Sequence, residues 1–265
     1  MSGLTVTLIQ ASLAWEDTPA NLRHLGALID KITEPTEVVV LPEMFATGFS
    51  MSPEKCAQPM TGAAVNWMRE TAAKKKIILT GSLAMEENGQ FYNRLVWMLP
   101  NGTAGIYDKK HLFHYAGEGE HYSPGNKRLI ASVNGWKVNL LVCYDLRFPV
   151  WSRNSLGKGG RPLYDLLVYV ANWPERRIQA WKTLLQARAI ENQCYVVGVN
   201  RVGEDGLGFY YSGDSMVIDP MGNILYQKSR EEDVHTIHLE AAHLETVREK
   251  LPFLRDADPF QIVNA

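Results

Sequence analysis

The sequence of 265 residues predicts an α/β fold organised as a layered sandwich. Short apolar runs alternate with stretches of helical periodicity, which is the pattern of strands covered by helices. Two hairpins are added to this pattern, with Pro-x-Gly turns at residues 100–102 and 220–222. Each hairpin follows a strand–helix–strand stretch, so the chain suggests two similar halves. No Pro-, Ser- or Gly-rich linker divides it, and we expect a single domain over residues 1–265.

The predicted elements follow in order along the chain. Residues 4–9 alternate between apolar and polar side chains, as in a half-buried strand. Thr18-Pro19 places a capping residue before a first-turn proline, and an apolar stripe continues to Ile32, which indicates a helix. The β-branched run 38–41 is typical of a strand covered on both faces. The further predicted strands are 77–81, 92–99, 105–107, 138–142, 165–171, 195–200 and 234–239, together with a hairpin over 213–226. The further predicted helices are 63–75, a short helix beginning at Phe148-Pro149, 177–192 and 240–251.

Composition and charge argue against several classes of protein. The 27 basic and 29 acidic residues nearly cancel, so we expect neither nucleic acid nor a membrane surface as a partner. No apolar run approaches the roughly 20 residues that a membrane span needs. The chain enters a strand by Leu4 without a basic and apolar leader, and its three cysteines cannot form a complete disulfide framework. These features predict a protein of the reducing cytoplasm.

Three predicted strands end in residues that can carry chemistry. Glu43 lies in Leu-Pro-Glu-Met-Phe, Lys109 in Tyr-Asp-Lys-Lys-His-Leu-Phe, and Cys143 in Cys-Tyr-Asp-Leu-Arg-Phe-Pro. Sites in open α/β sheets form outside the carboxyl ends of strands, so we expect a carboxylate, an ammonium and a thiol to converge there. Cys143 lies in a sharp turn near unpaired backbone N–H groups, a setting that favours a lowered thiol pKa. Taken singly, the same residues could be a helix-start carboxylate, a solvated lysine and a buried apolar cysteine.

Together and in this order, the three motifs resemble the nitrilase superfamily of carbon–nitrogen hydrolases, and its omega-amidase branch in particular. The resemblance extends to residues 189–192 and to the hairpin at 213–222, so it spans nearly the whole chain. It implies a four-layer αββα subunit with two similar halves. It also implies a homodimer that pairs through the helix after Pro149 and the helix 177–192. Nitrilases proper have tryptophan and glutamate after the cysteine, and Tyr144-Asp145 departs from that pattern.

The resemblance assigns roles to the residues of the motifs. Cys143 would attack an amide carbonyl, and Glu43 would take the thiol proton, pass it to the leaving nitrogen and then activate water. Lys109 and the backbone N–H of Tyr144 would hold the oxyanion. The substrate would be a small-molecule amide of a short 2-oxo acid, such as 2-oxoglutaramate, and the products its acid and ammonia.

Two of these assignments, the family lysine and a second glutamate, depend on the spacing to flanking residues. The flanking tyrosine and histidine of the motif assign the family lysine to Lys109 rather than Lys110. The family carries a second glutamate seven residues before a glycine in the following loop, which selects Glu118, counted back from Gly125, as a further catalytic residue. Glu120 is the alternative.

The acyl side of such a substrate carries an acid, which needs a cation or several N–H donors. Arginines in or beside strand-end loops could supply the cation, although Arg147 could instead form a structural ion pair. The candidate arginines are Arg147, Arg176, Arg177 and Arg201. The candidate pocket walls are Phe45, Phe113, Tyr115 and Trp173, with Asn172 beside them in Asn172-Trp173-Pro174, a stretch that could also be a surface turn.

Two other functions stay open at this point. An N-carbamoyl-amino-acid hydrolase would use the same residues in a different pocket. A catalytically vestigial interaction protein would keep the fold alone, although intact Glu43, Lys109 and Cys143 count against it.

We expect no cofactor and no metal. The glycine-rich loop 157–162 lacks Walker spacing, and His111 and His114 have no third-ligand pattern. Of the other cysteines, Cys194 lies in a buried run and Cys56 in a polar loop, and we expect no chemistry from either.

Overall fold

The structure, a computed structural model, describes residues 2–263 as two sheets with helices beside them. The strands are β1 (Leu4–Gln10), β2 (Val38–Val40), β3 (Ile78–Glu87), β4 (Gln90–Met98), β5 (Ala104–Asp108), β6 (Ile130–Val133), β7 (Trp136–Val142), β8 (Leu166–Ala171), β9 (Tyr195–Asn200), β10 (Val202–Glu204), β11 (Tyr210–Ile218), β12 (Ile224–Ser229) and β13 (Asp233–Leu239). The α-helices are α1 (Thr18–Asp30), α2 (Pro53–Cys56), α3 (Ala63–Lys75), α4 (Glu118–His121), α5 (Pro149–Ser152), α6 (Ile178–Asn192) and α7 (Ala241–Lys250). Across this range, no helix is long and apolar enough to cross a membrane.

The two sheets repeat one order of strands. In the first sheet β1, β2 and β3 are parallel, and β4 and β5 follow as antiparallel hairpin strands. In the second sheet β7, β8 and β9 are parallel, and β11 and β12 follow in the same way. The two Pro-x-Gly turns join corresponding strands, β4 to β5 and β11 to β12. The predicted pair of similar halves is therefore confirmed, and β13 returns from the second half to pair with β1.

The core lies between the sheets and beneath the helices. Side chains alternate along a strand, and in β2 this places Val38 and Val40 in the core shared by both sheets, while Val39 packs with residues of α1 and α3. On the second sheet α6 lies against Gly198, where an added Cβ would meet Leu185 at 2.6 Å. Helices therefore cover the outer faces of two packed sheets, which is the expected four-layer αββα arrangement.

Several elements differ from those predicted. The helix expected after Pro149 is the single turn α5, preceded by a 3-10 turn over Cys143–Arg147. Strand β3 runs to Glu87 because it pairs with β4 from Leu79 to Glu87. Their connection is Asn88-Gly89, where both residues have positive φ, as a tight hairpin requires. The short strands β6 and β10 carry too few residues to give a sequence pattern.

Candidate active site

Strand ends from both sheets meet at one place. Glu43 follows β2 and Lys109 follows β5 in the first sheet, and Cys143 follows β7 in the second. All three side chains are buried. Glu43 Oε1 lies 3.0 Å from Lys109 Nζ, and the Cys143 thiol interacts electrostatically with both groups. The structure thus brings together the carboxylate, the ammonium and the thiol that the motifs singled out.

Lys109 lies between two carboxylates and out of contact with solvent. Its Nζ donates to Glu43 Oε1 at 3.0 Å and to Glu118 Oε2 at 2.8 Å. Burial alone would lower the pKa of Lys109, but the two glutamates outweigh it and raise that pKa well above its ordinary value. The ammonium therefore stays charged. Nζ also lies 3.0 Å from Glu118 Oε1, so the three N–H donors of the ammonium all face the two carboxylates.

Glu118, rather than Glu120, is the second glutamate of the site. Glu118 is fully buried and accepts the backbone N–H of Phe113 at 2.6 Å, whereas Glu120 is exposed. Burial raises the pKa of Glu118, and the Glu43 charge adds to this effect while Lys109 opposes it. The spacing to Gly125 favours Glu118 over Glu120, and the burial of Glu118 beside Lys109 agrees with that choice.

Two asparagines hold Glu43 in place. Asn93 Nδ2 donates to Glu43 Oε1 at 2.8 Å and to Glu118 Oε1 at 3.2 Å. The backbone N–H of Asn172 donates to Glu43 Oε2 at 2.7 Å, and its side-chain Nδ2 donates to the Glu43 carbonyl at 2.6 Å. Asn172 therefore holds Glu43 through its N–H groups while it also lines the cavity described below. No sequence motif points to Asn93, because one polar residue within a hairpin strand carries no pattern.

Cys143 opens a 3-10 turn in a left-handed conformation, with φ of 44°. A non-glycine residue rarely adopts this conformation, and such residues concentrate at functional sites. Burial raises the pKa of the Cys143 thiol well above its usual value; the charge of Glu43 adds to the rise, and Lys109 opposes it. The expectation of a lowered thiol pKa is therefore wrong for this site. The exclusion of water outweighs the nearby cation, so this environment favours the neutral thiol.

A buried aspartate connects the lysine loop to the cysteine turn. Asp145 Oδ2 accepts the Tyr107 hydroxyl at 2.7 Å and the Val142 N–H at 3.0 Å. Its Oδ1 accepts the His111 N–H at 3.0 Å and lies 2.8 Å from His111 Nδ1. Tyr107 and His111 stand on either side of Lys109 in the chain. This aspartate belongs to the Cys-Tyr-Asp motif, but the motif alone does not reveal its role.

Cys143 and Lys109 open onto a cavity of about 260 Å³. Its apolar and aromatic wall consists of Phe49, Met51, Phe113, Tyr115, Ala116, Tyr144, Trp173, Pro174, Leu207, Phe209 and Tyr211. Its other polar side chains are Arg147, Asn172, Arg176, Arg177 and Asp205. Trp173 is only 3% exposed, so it forms the wall and is no surface turn. A largely apolar cavity with a few convergent polar groups is the form of a small-molecule site.

Comparison with known proteins decides the family. The sequence profile described as carbon–nitrogen hydrolase matches residues 5–249. The chain belongs to the carbon–nitrogen hydrolase family. Over 264 residues it is 46% identical to the omega-amidase YafV of Escherichia coli K12, covering 99% of this chain and 100% of that protein. Over 255 residues it is 32% identical to the 2-oxoglutaramate amidase of Bacillus subtilis 168, covering 95% and 96% of the two chains.

A solved structure agrees with this assignment. A carbon–nitrogen hydrolase superfamily protein of Xanthomonas campestris, crystallised with an arsenic adduct in its active site, matches with a TM-score of 0.96. The two chains are 42% identical, and the match covers 99% of this chain and 100% of that one. The family resemblance drawn from the motifs is therefore confirmed.

Three of the four candidate arginines line the cavity of this carbon–nitrogen hydrolase. The guanidinium carbons of Arg147, Arg176 and Arg177 lie 4.9, 4.6 and 5.0 Å from the ring centroids of Trp173, Phe209 and Phe113, respectively. Within residues 2–263, none of these three arginines forms an ion pair with a carboxylate, so the structural ion pair considered for Arg147 is not observed. Among the described residues that line the cavity, the one acid is Asp205, and it accepts the Tyr211 hydroxyl at 2.8 Å.

Two expectations about the cavity are wrong. Phe45 is fully buried beneath the first sheet, with its ring centroid 5.9 Å from that of Trp67, and it does not reach the cavity. Arg201 is also fully buried, and its Nη2 donates to the carbonyls of Leu13 at 3.1 Å and Glu204 at 3.0 Å. Arg201 therefore stabilises the backbone around the site rather than facing a ligand.

Proposed function

We propose that this carbon–nitrogen hydrolase is an omega-amidase that cleaves the terminal amide of a small 2-oxo dicarboxylic acid monoamide, such as 2-oxoglutaramate. The observation that carries the proposal is one cavity with Cys143 and Lys109 at its base and Arg147, Arg176 and Arg177 in its wall. The relatives named omega-amidase YafV and 2-oxoglutaramate amidase support this substrate class.

In the proposed reaction, Cys143 Sγ attacks the amide carbonyl carbon while Glu43 takes the thiol proton. A base is required at that moment because burial raises the pKa of the thiol. The positive charge of Lys109 and the backbone N–H of Tyr144 stabilise the oxyanion.

Glu43 then returns the proton to the nitrogen, the C–N bond breaks, and ammonia leaves a thioester on Cys143. Glu43 next takes a proton from a water molecule, whose oxygen attacks the thioester carbonyl. Collapse of this second tetrahedral intermediate releases the acid, and Glu43 restores the proton to the Cys143 sulfur. Asn93 and Glu118 keep Glu43 and Lys109 oriented through both halves of the cycle.

The arginines account for recognition of the acid. Ammonia, as leaving group, offers nothing to recognise beyond the amide nitrogen, so discrimination depends on the acyl side. The three arginines have no acidic partner in the described chain. A substrate carboxylate placed among them therefore gains charge-assisted hydrogen bonds. Glutamine differs from 2-oxoglutaramate by an ammonium in place of the 2-oxo group, and the same cations disfavour it.

We expect kcat/KM for 2-oxoglutaramate to exceed that for butyramide, a neutral amide, by at least about 100-fold, because a partly buried cation is otherwise left without its anion. Steady-state ammonia release measures both, with N-carbamoyl-β-alanine as a third substrate. Three variants identify the arginine that binds the substrate carboxylate: Arg147→Gln, Arg176→Gln and Arg177→Gln. The preference for 2-oxoglutaramate should collapse in the variant that lacks that arginine.

Each other outcome of this panel has a meaning. A preference for butyramide would exclude the carboxylate pocket. A preference for N-carbamoyl-β-alanine would favour the carbamoyl hydrolase. No ammonia from any substrate, with Cys143 no more reactive than Cys56 toward iodoacetamide, would favour a vestigial site.

We also propose that the chain forms a homodimer through α5 and α6. Both carry a large exposed apolar side chain, Val150 on α5 at 56% and Ile190 on α6 at 53%. We expect sedimentation velocity at micromolar concentration to show a dimer, and Ile190→Glu to shift it toward monomer because a charge is costly in a buried interface. Ile106→Glu, on the edge strand β5 of the other sheet, is the control. A wild-type monomer would contradict the proposal.

The predicted cytoplasmic location is kept as part of this proposal. All three cysteines, each within the described residues, are free thiols, which fits a reducing compartment.

A further inference from the structure

One buried carboxylate joins the two loops that carry the proposed nucleophile and its oxyanion partner. We infer that Asp145 is a positioning residue that fixes Lys109 in register with Cys143. The inference rests on the proposed hydrolysis at Cys143, and it concerns a residue outside the cavity wall.

The contacts of Asp145 come from both loops. From the lysine loop, the Tyr107 hydroxyl donates at 2.7 Å, the His111 N–H donates at 3.0 Å, and His111 Nδ1 lies 2.8 Å away. From the cysteine turn, the Val142 N–H donates at 3.0 Å. Asp145 is 0% exposed, so water does not compete for these acceptor positions.

The residues flanking Lys109 have further contacts to the same segment as the nucleophile. The Tyr107 hydroxyl accepts Trp151 Nε1 at 2.9 Å. The His111 ring stacks on Phe148 with 3.8 Å between centroids and 6° between planes. Tyr107 and His111, two residues before and after Lys109, therefore both contact the stretch that follows Cys143. A shift of the lysine loop relative to the cysteine turn would break the hydrogen bonds to Asp145 first, because that carboxylate accepts donors from both loops.

The two oxygens of Asp145 explain why a carboxylate is needed here. Each oxygen accepts one backbone N–H, from His111 on one side and Val142 on the other. An asparagine would turn its NH2 toward one of these donors, leaving a buried N–H without an acceptor. Such a residue would release either the lysine loop or the cysteine turn while preserving side-chain volume.

The variant Asp145→Asn tests the inference. We expect kcat for amide hydrolysis to fall by about 100-fold with KM within about threefold of wild type, because misplacement of reacting groups affects the transition state more than binding. We also expect iodoacetamide to label Cys143 about tenfold more slowly, since a displaced Lys109 stabilises the thiolate less. Labelling is followed by intact mass and peptide mapping, and it needs no substrate.

The variant Asp165→Asn is the matched control. Asp165 is also buried and accepts the Lys137 N–H at 2.9 Å and Arg248 Nη1 at 2.6 Å, but it precedes β8, at the opposite end of the sheet from Cys143. We expect it to lower the melting temperature without changing kcat or the labelling rate. A loss of stability alone therefore cannot reproduce the result expected for Asp145→Asn.

The inference is overturned if Asp145→Asn folds and keeps kcat and the labelling rate within about threefold of wild type. If Asp145→Asn does not fold, Tyr107→Phe decides, because it removes one lysine-side donor. Its kcat should fall about fivefold at constant KM, and an unchanged kcat overturns the inference. Failure of the proposed function is distinguishable, since wild type would then release no ammonia from any amide. The labelling rates would still support or overturn the positioning role.

Discussion

Replacement of Cys143 by alanine is expected to reduce ammonia release from 2-oxoglutaramate by at least about 10⁴-fold while the fold stays intact. The thioester cannot form without the sulfur. Alanine keeps the Cβ at a position whose φ is 44°, so backbone strain is unchanged, and only one small atom is lost from the cavity wall. A coupled ammonia assay gives the rate, and thermal unfolding followed by circular dichroism verifies the fold.

Cys143→Ser should be nearly as inactive, because one carboxylate base cannot generate an alkoxide as readily as a thiolate. Cys56→Ala is the control: Cys56 is also a free, buried cysteine but lies outside the cavity wall, and full activity is expected. Activity of the alanine variant within about tenfold of wild type would place the nucleophile elsewhere.

Lys109→Ala should lower kcat by about 100- to 1,000-fold, because one oxyanion donor is lost, which is worth ~3 kcal/mol in the barrier. The same change should lower the free energy of unfolding by about 3–5 kcal/mol, because a buried ion pair loses one partner. Glu43 and Glu118, both fully buried, would face each other without their cation. Steady-state kinetics and urea unfolding measure the two effects separately.

The adjacent lysine is the matched control. Lys110 is partly exposed, and its ammonium lies 5.4 Å from the centroid of the Trp151 ring, with no carboxylate bonded to it in the described chain. Lys110→Ala should leave kcat within about twofold of wild type, as a surface substitution usually does. A larger loss at Lys110 than at Lys109 would contradict the assignment of the oxyanion partner.

The strand-end motifs made Glu43, Lys109 and Cys143 predictable as a group. Buried strands of an α/β sheet end at one edge, so reactive residues just past those ends meet in space. The family resemblance and the spacing to Gly125 favoured Glu118, and only the structure shows that Glu118 is buried while Glu120 is exposed.

Other residues of the site depend on contacts that no local pattern records. Asn93 lies within β4, and only the approach of the β2 end places its amide between two carboxylates. The side-chain partners of Asp145, His111 and Tyr107, lie 34 and 38 residues away in the chain. The predictions that Phe45 and Arg201 face the cavity are wrong for the opposite reason. Both follow strand ends closely in sequence, yet proximity along the chain does not set the direction in which a side chain points.

The repeated strand order has a consequence for how this chemistry could be assembled. The proposed base and cation belong to the first sheet and the proposed nucleophile to the second, so the reactive geometry exists only at the contact between the halves. A substitution in their shared core can therefore change turnover without touching the cavity, because a small slip between the sheets alters the distance from thiol to base. A free-standing half would hold either an attacking group or a proton acceptor. A second copy of the same half would carry the same group, so only pairing with the other half could complete the arrangement.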